Sequence, residues 1–163
     1  MIKIMIVDDS VIIRQRLKEL FKKRGFDVVA EVESGEKAII KFKEHKPDIV
    51  TMDISMPGMS GIEAVEKLIK IDPNVKIIML TAMGERTIVF KAIKLGAVNF
   101  IVKPFQEEKV MEVICEVLGI SPDEEEQCTK KIEDDEVKQE HNEENTEDTN
   151  KETNLENDEI IED

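Results

Sequence analysis

Five short apolar runs, at residues 2–7, 28–32, 48–52, 75–80 and 98–102, recur through the first 120 residues and leave few folds open. Each is rich in Ile and Val and shows little of the apolar–polar alternation of a half-solvated strand. Strands buried on both faces of a parallel sheet read this way. Between the runs the apolar residues switch to helical spacing. Ile13, Leu17, Leu20 and Phe21 form one stripe; Ala38, Ile39 and Phe42 a second; Ile62, Val65, Leu68 and Ile69 a third. Ile88, Ala92 and Leu95 make the fourth, with Val89, Phe90 and Ile93 off it as a second apolar stripe that suits a docking face. Val110, Val113, Ile114 and Val117 make the fifth. Ser10 is placed to cap the first helix, Gly25 to end it in a left-handed conformation, and Gly96 to stop the fourth. Pro47 and Pro73 stand just before the third and fourth runs. Five strands alternating with five helices predict an open α/β sheet of parallel strands, with right-handed crossovers placing helices on both faces.

Charge divides the chain. Residues 1–120 hold 19 Lys and Arg against 18 Asp and Glu, whereas residues 121–163 hold 4 Lys against 19 acids. The front segment has the length of one ordinary domain, on the order of 100–150 residues. The back segment has six apolar residues in forty-three, too few to offset the entropy of ordering it, so 121–163 is predicted to be a disordered acidic tail. No stretch approaches the roughly 18–20 apolar residues of a membrane span, and the first apolar run is too short for a signal-peptide core. Cys115 and Cys128 show no metal-binding or disulfide spacing, which suits a reducing, cytoplasmic setting. An acidic chain without a basic stripe is a poor nucleic-acid binder.

In open parallel sheets, ligands bind outside the carboxyl ends of the strands. At those ends stand Asp8 and Asp9 after the first run, Asp53 after the third, Thr81 after the fourth, and Lys103 with Pro104 after the fifth. Three carboxylates brought together repel, which a bound cation relieves. With hard oxygen donors and no His or Cys at this rim, the expected ion is Mg²⁺. A carboxylate nucleophile, a magnesium ion, a lysine and a hydroxyl together make a phosphoryl-acceptor site, where positioning and charge neutralisation do most of the catalysis. Met56, Met59 and Met83 fall in loops around the rim, and Met56–Pro57–Gly58 reads as a turn.

The runs MIVDDS, IVTMDISMPGMSGIE, IIMLTAMG and FIVKPF, in this order, resemble the response-regulator receiver domain of two-component signalling. The resemblance covers about residues 1–120 and is nearest to the single-domain chemotaxis (CheY-like) subgroup, with no output-domain pattern after residue 120. It implies a flavodoxin-like open five-stranded parallel sheet with helices on both faces. It also implies that Asp53 is the phosphoacceptor, that Asp8 and Asp9 hold Mg²⁺, and that the Ser55 backbone carbonyl completes the metal's shell. Thr81 and Phe100 match the switch hydroxyl and switch aromatic, Lys103 the cation that pairs with the phosphoryl group, and Pro104 a proline after a cis peptide. The implied partners are a histidine kinase, a target such as the flagellar motor switch, and a phosphatase. The regulator is expected to be a cytoplasmic monomer that is not an enzyme. Helix four, strand five and helix five would form the face that changes.

Rival readings stay open. One is a phosphorelay intermediate or phosphate sink without a motor target. Another is a Mg²⁺-dependent phosphohydrolase, which also uses a strand-end Asp, although no cap domain or second acid two residues beyond Asp53 is present. Flavodoxin-like cofactor binding is disfavoured, because acids stand where a phosphate loop would be.

Overall fold

The computed structural model describes residues 1–82 and 86–120; Met83 and the acidic segment 121–163 lie outside the described residues. In chain order the elements are β1 (Lys3–Val7), α1 (Val11–Lys23), β2 (Asp27–Val32), α2 (Gly35–His45) and β3 (Ile49–Asp53). They continue with α3 (Gly61–Ile71), β4 (Lys76–Ala82), α4 (Arg86–Leu95), β5 (Asn99–Lys103) and α5 (Glu107–Leu118). The strands reach one or two residues beyond the apolar runs at several ends. Asp53 pairs with Leu80 and Lys103 with Ala82. Ladder hydrogen bonds, which any residue type can make, set those ends, whereas hydrophobicity sets only the middles.

All five strands are parallel, in the order β2-β1-β3-β4-β5. The chain steps outward from β1 to β2 and then returns past β1 to begin β3. Strand order therefore reverses between β1 and β3, and their carboxyl ends border the crevice where such sheets take ligands.

Alternation along each strand feeds two cores. Met5, Val7, Val50, Met52, Ile77 and Met79 meet Ala38, Phe42, Ala64, Val65, Leu68, Val89 and Ala92 from α2, α3 and α4. Ile4, Ile6, Ile49, Ile78 and Leu80 meet Leu17, Leu20, Phe21, Val110 and Ile114 from α1 and α5. Full burial of one Leu or Ile side chain contributes about 1.5–3 kcal/mol. Central strands buried on both faces thus hold the β1 and β3 ends in fixed register.

Helix α4 is turned relative to the expectation. Val89 and Ala92 are buried, while Ile88 is 38% exposed, on the solvent side with Phe90 and Ile93. Consecutive apolar residues at 88 and 89 satisfy the helical period in two adjacent phases, so the contact with the sheet decides between them.

Helix starts follow side-chain capping. Ser10 accepts from the Ile13 amide, Ser34 from that of Lys37, and Ser60 forms a reciprocal capping box with Glu63. Gly25 and Gly96 adopt φ of 76° and 117°, as their places after α1 and α4 require. Basic residues fill the last turns of α1 (Lys22, Lys23), α2 (Lys43, His45), α3 (Lys70) and α4 (Lys94), where they complement the helix dipoles. No described helix is long and apolar enough to cross a membrane.

One polar group stands apart in this packing. Thr51, in the middle of β3, is fully buried, and its hydroxyl has no hydrogen-bond partner among the described residues. A buried unsatisfied hydroxyl costs stability, and valine has nearly the same shape. Thr51→Val is therefore expected to stabilise the protein by about 1 kcal/mol, seen as a higher urea midpoint with an unchanged slope.

Candidate functional site

Each polar group expected at the strand ends is carried there by the sheet. Asp8 and Asp9 follow β1 directly, Asp53 is the last residue of β3, and Lys103 the last of β5. One carboxylate oxygen from each of Asp8, Asp9 and Asp53 lies within 4.8 Å of the others. The Lys103 Nζ donates to Asp8 Oδ2 at 2.6 Å and to Asp53 Oδ1 at 3.0 Å. Lys103 is followed by a cis peptide to Pro104.

Every polar atom of Asp8 has a partner. Its amide donates to the Val32 carbonyl at 3.1 Å, and its carbonyl accepts from the Arg14 guanidinium at 2.6 Å. Oδ1 accepts from the Ser10 amide at 2.9 Å while Oδ2 takes the lysine. The side chain is fully buried and fixed in direction. Asp9 beside it is exposed and adds a second carboxylate to the pocket's mouth.

Asp53 is 5% exposed. Its carboxyl pKa is raised above 3.8 chiefly by burial; the Lys103 hydrogen bond and charge oppose the rise, and the charges of Asp8 and Asp9 add to it. Burial by itself would lower the Lys103 pKa, but its hydrogen bonds and Coulomb attraction to Asp8 and Asp53 prevail and hold it above 10.5. The ammonium is thus protonated at neutral pH. Three carboxylates cluster around a lysine that bonds two of them, so the pocket retains negative charge, and its all-oxygen donor set fits a hard divalent cation such as Mg²⁺.

The segment after Asp53 is tied at both ends. The Ile54 amide donates to the Leu80 carbonyl, and the Gly61 amide returns to the Ile54 carbonyl. Gly61 has to be glycine: a Cβ there would lie 2.0 Å from the Asp53 carbonyl oxygen. Gly58 turns the loop with φ +79°, within the expected Met56–Pro57–Gly58 turn. Ser55 lies in this loop, two residues past Asp53.

Thr81 is buried in β4, its hydroxyl donating to the Ala82 carbonyl at 3.2 Å. Phe100 on β5 is 43% exposed and so is not an ordinary buried core aromatic. It shares its exposure with Val98 and Val102 of the β5 region and with Ile88, Phe90 and Ile93 of α4.

Sequence reasoning did not single out Arg14, Glu36 or Gly61. Arg14 looks like any polar residue on a helix, because its partner is a backbone carbonyl. Glu36 accepts from the Met59 amide at 2.9 Å, across twenty-three residues of sequence. Neither contact leaves a local pattern. The Ser60–Glu63 capping box does, since Ser-x-x-Glu before an apolar stripe is readable.

The response regulator receiver domain matches residues 4–115. The chemotaxis protein CheY of Thermotoga maritima is 50% identical over 115 residues, covering 71% of this chain and 96% of that protein. The CheY of Bacillus subtilis is 50% identical over 117 residues, 72% of this chain and 98% of the relative. Among solved structures, the CheX–CheY–BeF₃–Mg²⁺ complex from Borrelia burgdorferi superposes with a TM-score of 0.69 at 38% identity, covering 72% of this chain and 89% of that one.

The raised Asp53 pKa sets a sign for stability. The folded state holds this proton more tightly than the unfolded chain, so the contribution of Asp53 to stability falls as pH rises from 3.8 through the raised value. Asp53→Asn is expected to melt at a higher temperature than wild type at pH 7, with the difference vanishing below pH 3.8, where the wild-type carboxyl is also neutral. Thermal melts across pH check this; an equal gap at every pH would contradict it.

Proposed function

The chain belongs to the response regulator receiver family, and from that membership we propose that it accepts a phosphoryl group on Asp53 from a histidine kinase. The observation that carries the reading is the single pocket in which Lys103 joins Asp8 and Asp53 while Asp9 completes the acidic cluster. Asp8, Asp9 and Asp53 would hold Mg²⁺, with the Ser55 backbone carbonyl as a further oxygen donor. Bound there, the ion neutralises charge on the phosphoryl oxygens.

In the transfer step an Asp53 carboxylate oxygen attacks phosphorus, the N–P bond of the donor phosphohistidine breaks, and the imidazole leaves. Lys103 is already within hydrogen-bond distance of Asp53 and carries the charge that a phosphoryl oxygen needs. Thr81, at the end of the neighbouring strand, then donates its hydroxyl to the phosphoryl group. Its inward movement frees space beside β5, and Phe100 turns from its exposed position into that space. The phosphorylated state thereby shifts an equilibrium between two arrangements of the α4–β5–α5 face. The solvent-facing Ile88, Phe90 and Ile93 supply that face with apolar surface.

The output we infer is chemotaxis, with the flagellar motor switch as target. Support comes from relatives named chemotaxis protein CheY that this chain spans almost end to end. A relay or phosphate-sink role remains the alternative within signalling. Family membership argues against the phosphohydrolase reading, and this chain is proposed as a regulator in the cytoplasm rather than an enzyme. The Borrelia burgdorferi complex, in which a CheY is held with CheX, BeF₃ and Mg²⁺, supports the ion and a protein partner of the CheX kind, and a phosphatase is proposed among the partners. Residues 1–120 would form the receiver and 121–163 an acidic extension that is not needed for phosphorylation.

Incubation with acetyl phosphate and Mg²⁺ is expected to add one phosphate to the intact mass of wild type and none to Asp53→Asn. Turnover of unrelated phosphomonoesters without a stable adduct would overturn the reading. Phe100→Ala is expected to retain phosphorylation at Asp53 yet to lose, by tenfold or more (on the order of 1.4 kcal/mol), the gain in target affinity that phosphorylation brings. Calorimetric titration against the motor-switch segment reads this directly.

A further inference from the structure

The loop 54–60 carries Ser55 between Asp53 and α3, and it is held from outside by the first turn of a different helix. Glu36 of α2 accepts the Met59 amide at 2.9 Å. Met59 packs against Gly35, where a Cβ would come within 2.9 Å of the Met59 side chain. Gly58, whose φ is +79°, sits so close that a Cβ there would be 3.1 Å from Glu36 Oε1. One carboxylate and one missing side chain on α2 thus grip consecutive residues of the turn. The two ends of the loop are fixed independently, by Ile54 on Leu80 and by the Ser60–Glu63 capping box.

Chemistry favours a stable grip. The Glu36 carboxyl pKa is lowered by hydrogen bonds from its own amide and from that of Met59, so the charged acceptor persists at neutral pH. Glu36 stands at the start of α2, where a negative charge also suits the helix dipole. It is exposed and belongs to neither core, so its removal should leave the fold standing.

We propose that Glu36 is a positioning residue of the metal and phosphoacceptor site, fixing the 54–60 loop so that the Ser55 carbonyl faces the three carboxylates. This deepens the receiver reading and rests on it. Glu36 touches neither the phosphoryl group nor the ion; it acts through the backbone of the loop. Groups that orient a metal's ligands from outside typically govern affinity by 10–100-fold, and an exposed one acting through backbone belongs near the lower end, about tenfold.

The test uses the full chain as wild type, Glu36→Ala and Glu36→Gln. Mg²⁺ affinity is measured by amide-shift titration of the unphosphorylated protein, alongside thermal melts and the rate of acetyl-phosphate labelling at limiting and saturating Mg²⁺. Glu36→Ala is expected to bind Mg²⁺ about tenfold more weakly, to recover labelling at saturating Mg²⁺, and to melt close to wild type. Glu36→Gln keeps a carbonyl oxygen for the Met59 amide and is expected to stay within about threefold of wild type, since only the charge-assisted part of the bond is lost. Unchanged affinity in Glu36→Ala overturns the proposal. A Gln variant as weak as Ala also overturns it, because loss of charge and not of loop position would then be the cause. If wild type itself binds no Mg²⁺ and takes no phosphate, the receiver reading fails, an outcome distinct from both.

Discussion

A single ammonium group, that of Lys103, makes this rim possible. Asp8 and Asp53 come from the ends of two neighbouring strands, and without a cation between them their burial would be costly. Lys103 arrives from β5, two strands beyond β3, and bridges both. The bridge explains why the crevice between β1 and β3 can stay concave and acidic in a folded protein. It also explains why the neutralisation is incomplete. Lys103 bonds two of the three clustered carboxylates, and the negative charge left over suits a hard divalent cation. Folding and function draw on the same imbalance.

Two levels of organisation keep that imbalance in place. The first is the hydrophobic sandwich, in which β1, β3 and β4 are packed from both sides and cannot slip without moving every side chain to the wrong layer. The second is a set of polar ties at the rim itself. Arg14, Ser10 and Val32 complete Asp8, and the close approach of Gly61 to the Asp53 carbonyl joins the end of β3 to the start of α3. Rigidity is therefore concentrated around Asp8 and Asp53. Thr81 and Phe100, by contrast, lie on the β4–β5 side, where an aromatic ring and several aliphatic side chains remain partly in solvent.

Most of this was legible before any coordinates. Runs of Ile and Val between helical stripes gave the sheet, and the polar residues after them gave Asp8, Asp9, Asp53, Thr81 and Lys103. Such signals are local, since each strand and its terminal residue are contiguous in sequence. The contacts that were not legible are those whose partners are distant and whose acceptor or donor is backbone. Glu36 reaches Met59 and Arg14 reaches the Asp8 carbonyl, and neither leaves a residue-type signature. The phase of α4 was lost for another reason: two adjacent apolar residues, Ile88 and Val89, carry equal weight in a periodicity argument. Thr51 was invisible because a hydroxyl inside a buried strand is an exception to the rule that located the strand.

The lysines at the trailing ends of α1 to α4 lie at the edge of the sheet opposite the acids. Each of these four helices thus sets positive charge at its own trailing end, while Asp8, Asp9 and Asp53 gather negative charge at the carboxyl rim of the sheet. Such a body does not tumble indifferently beside a charged surface. A cationic patch on an encountered protein would turn the acidic rim toward itself before the two touch, and dissolved salt would blunt that alignment.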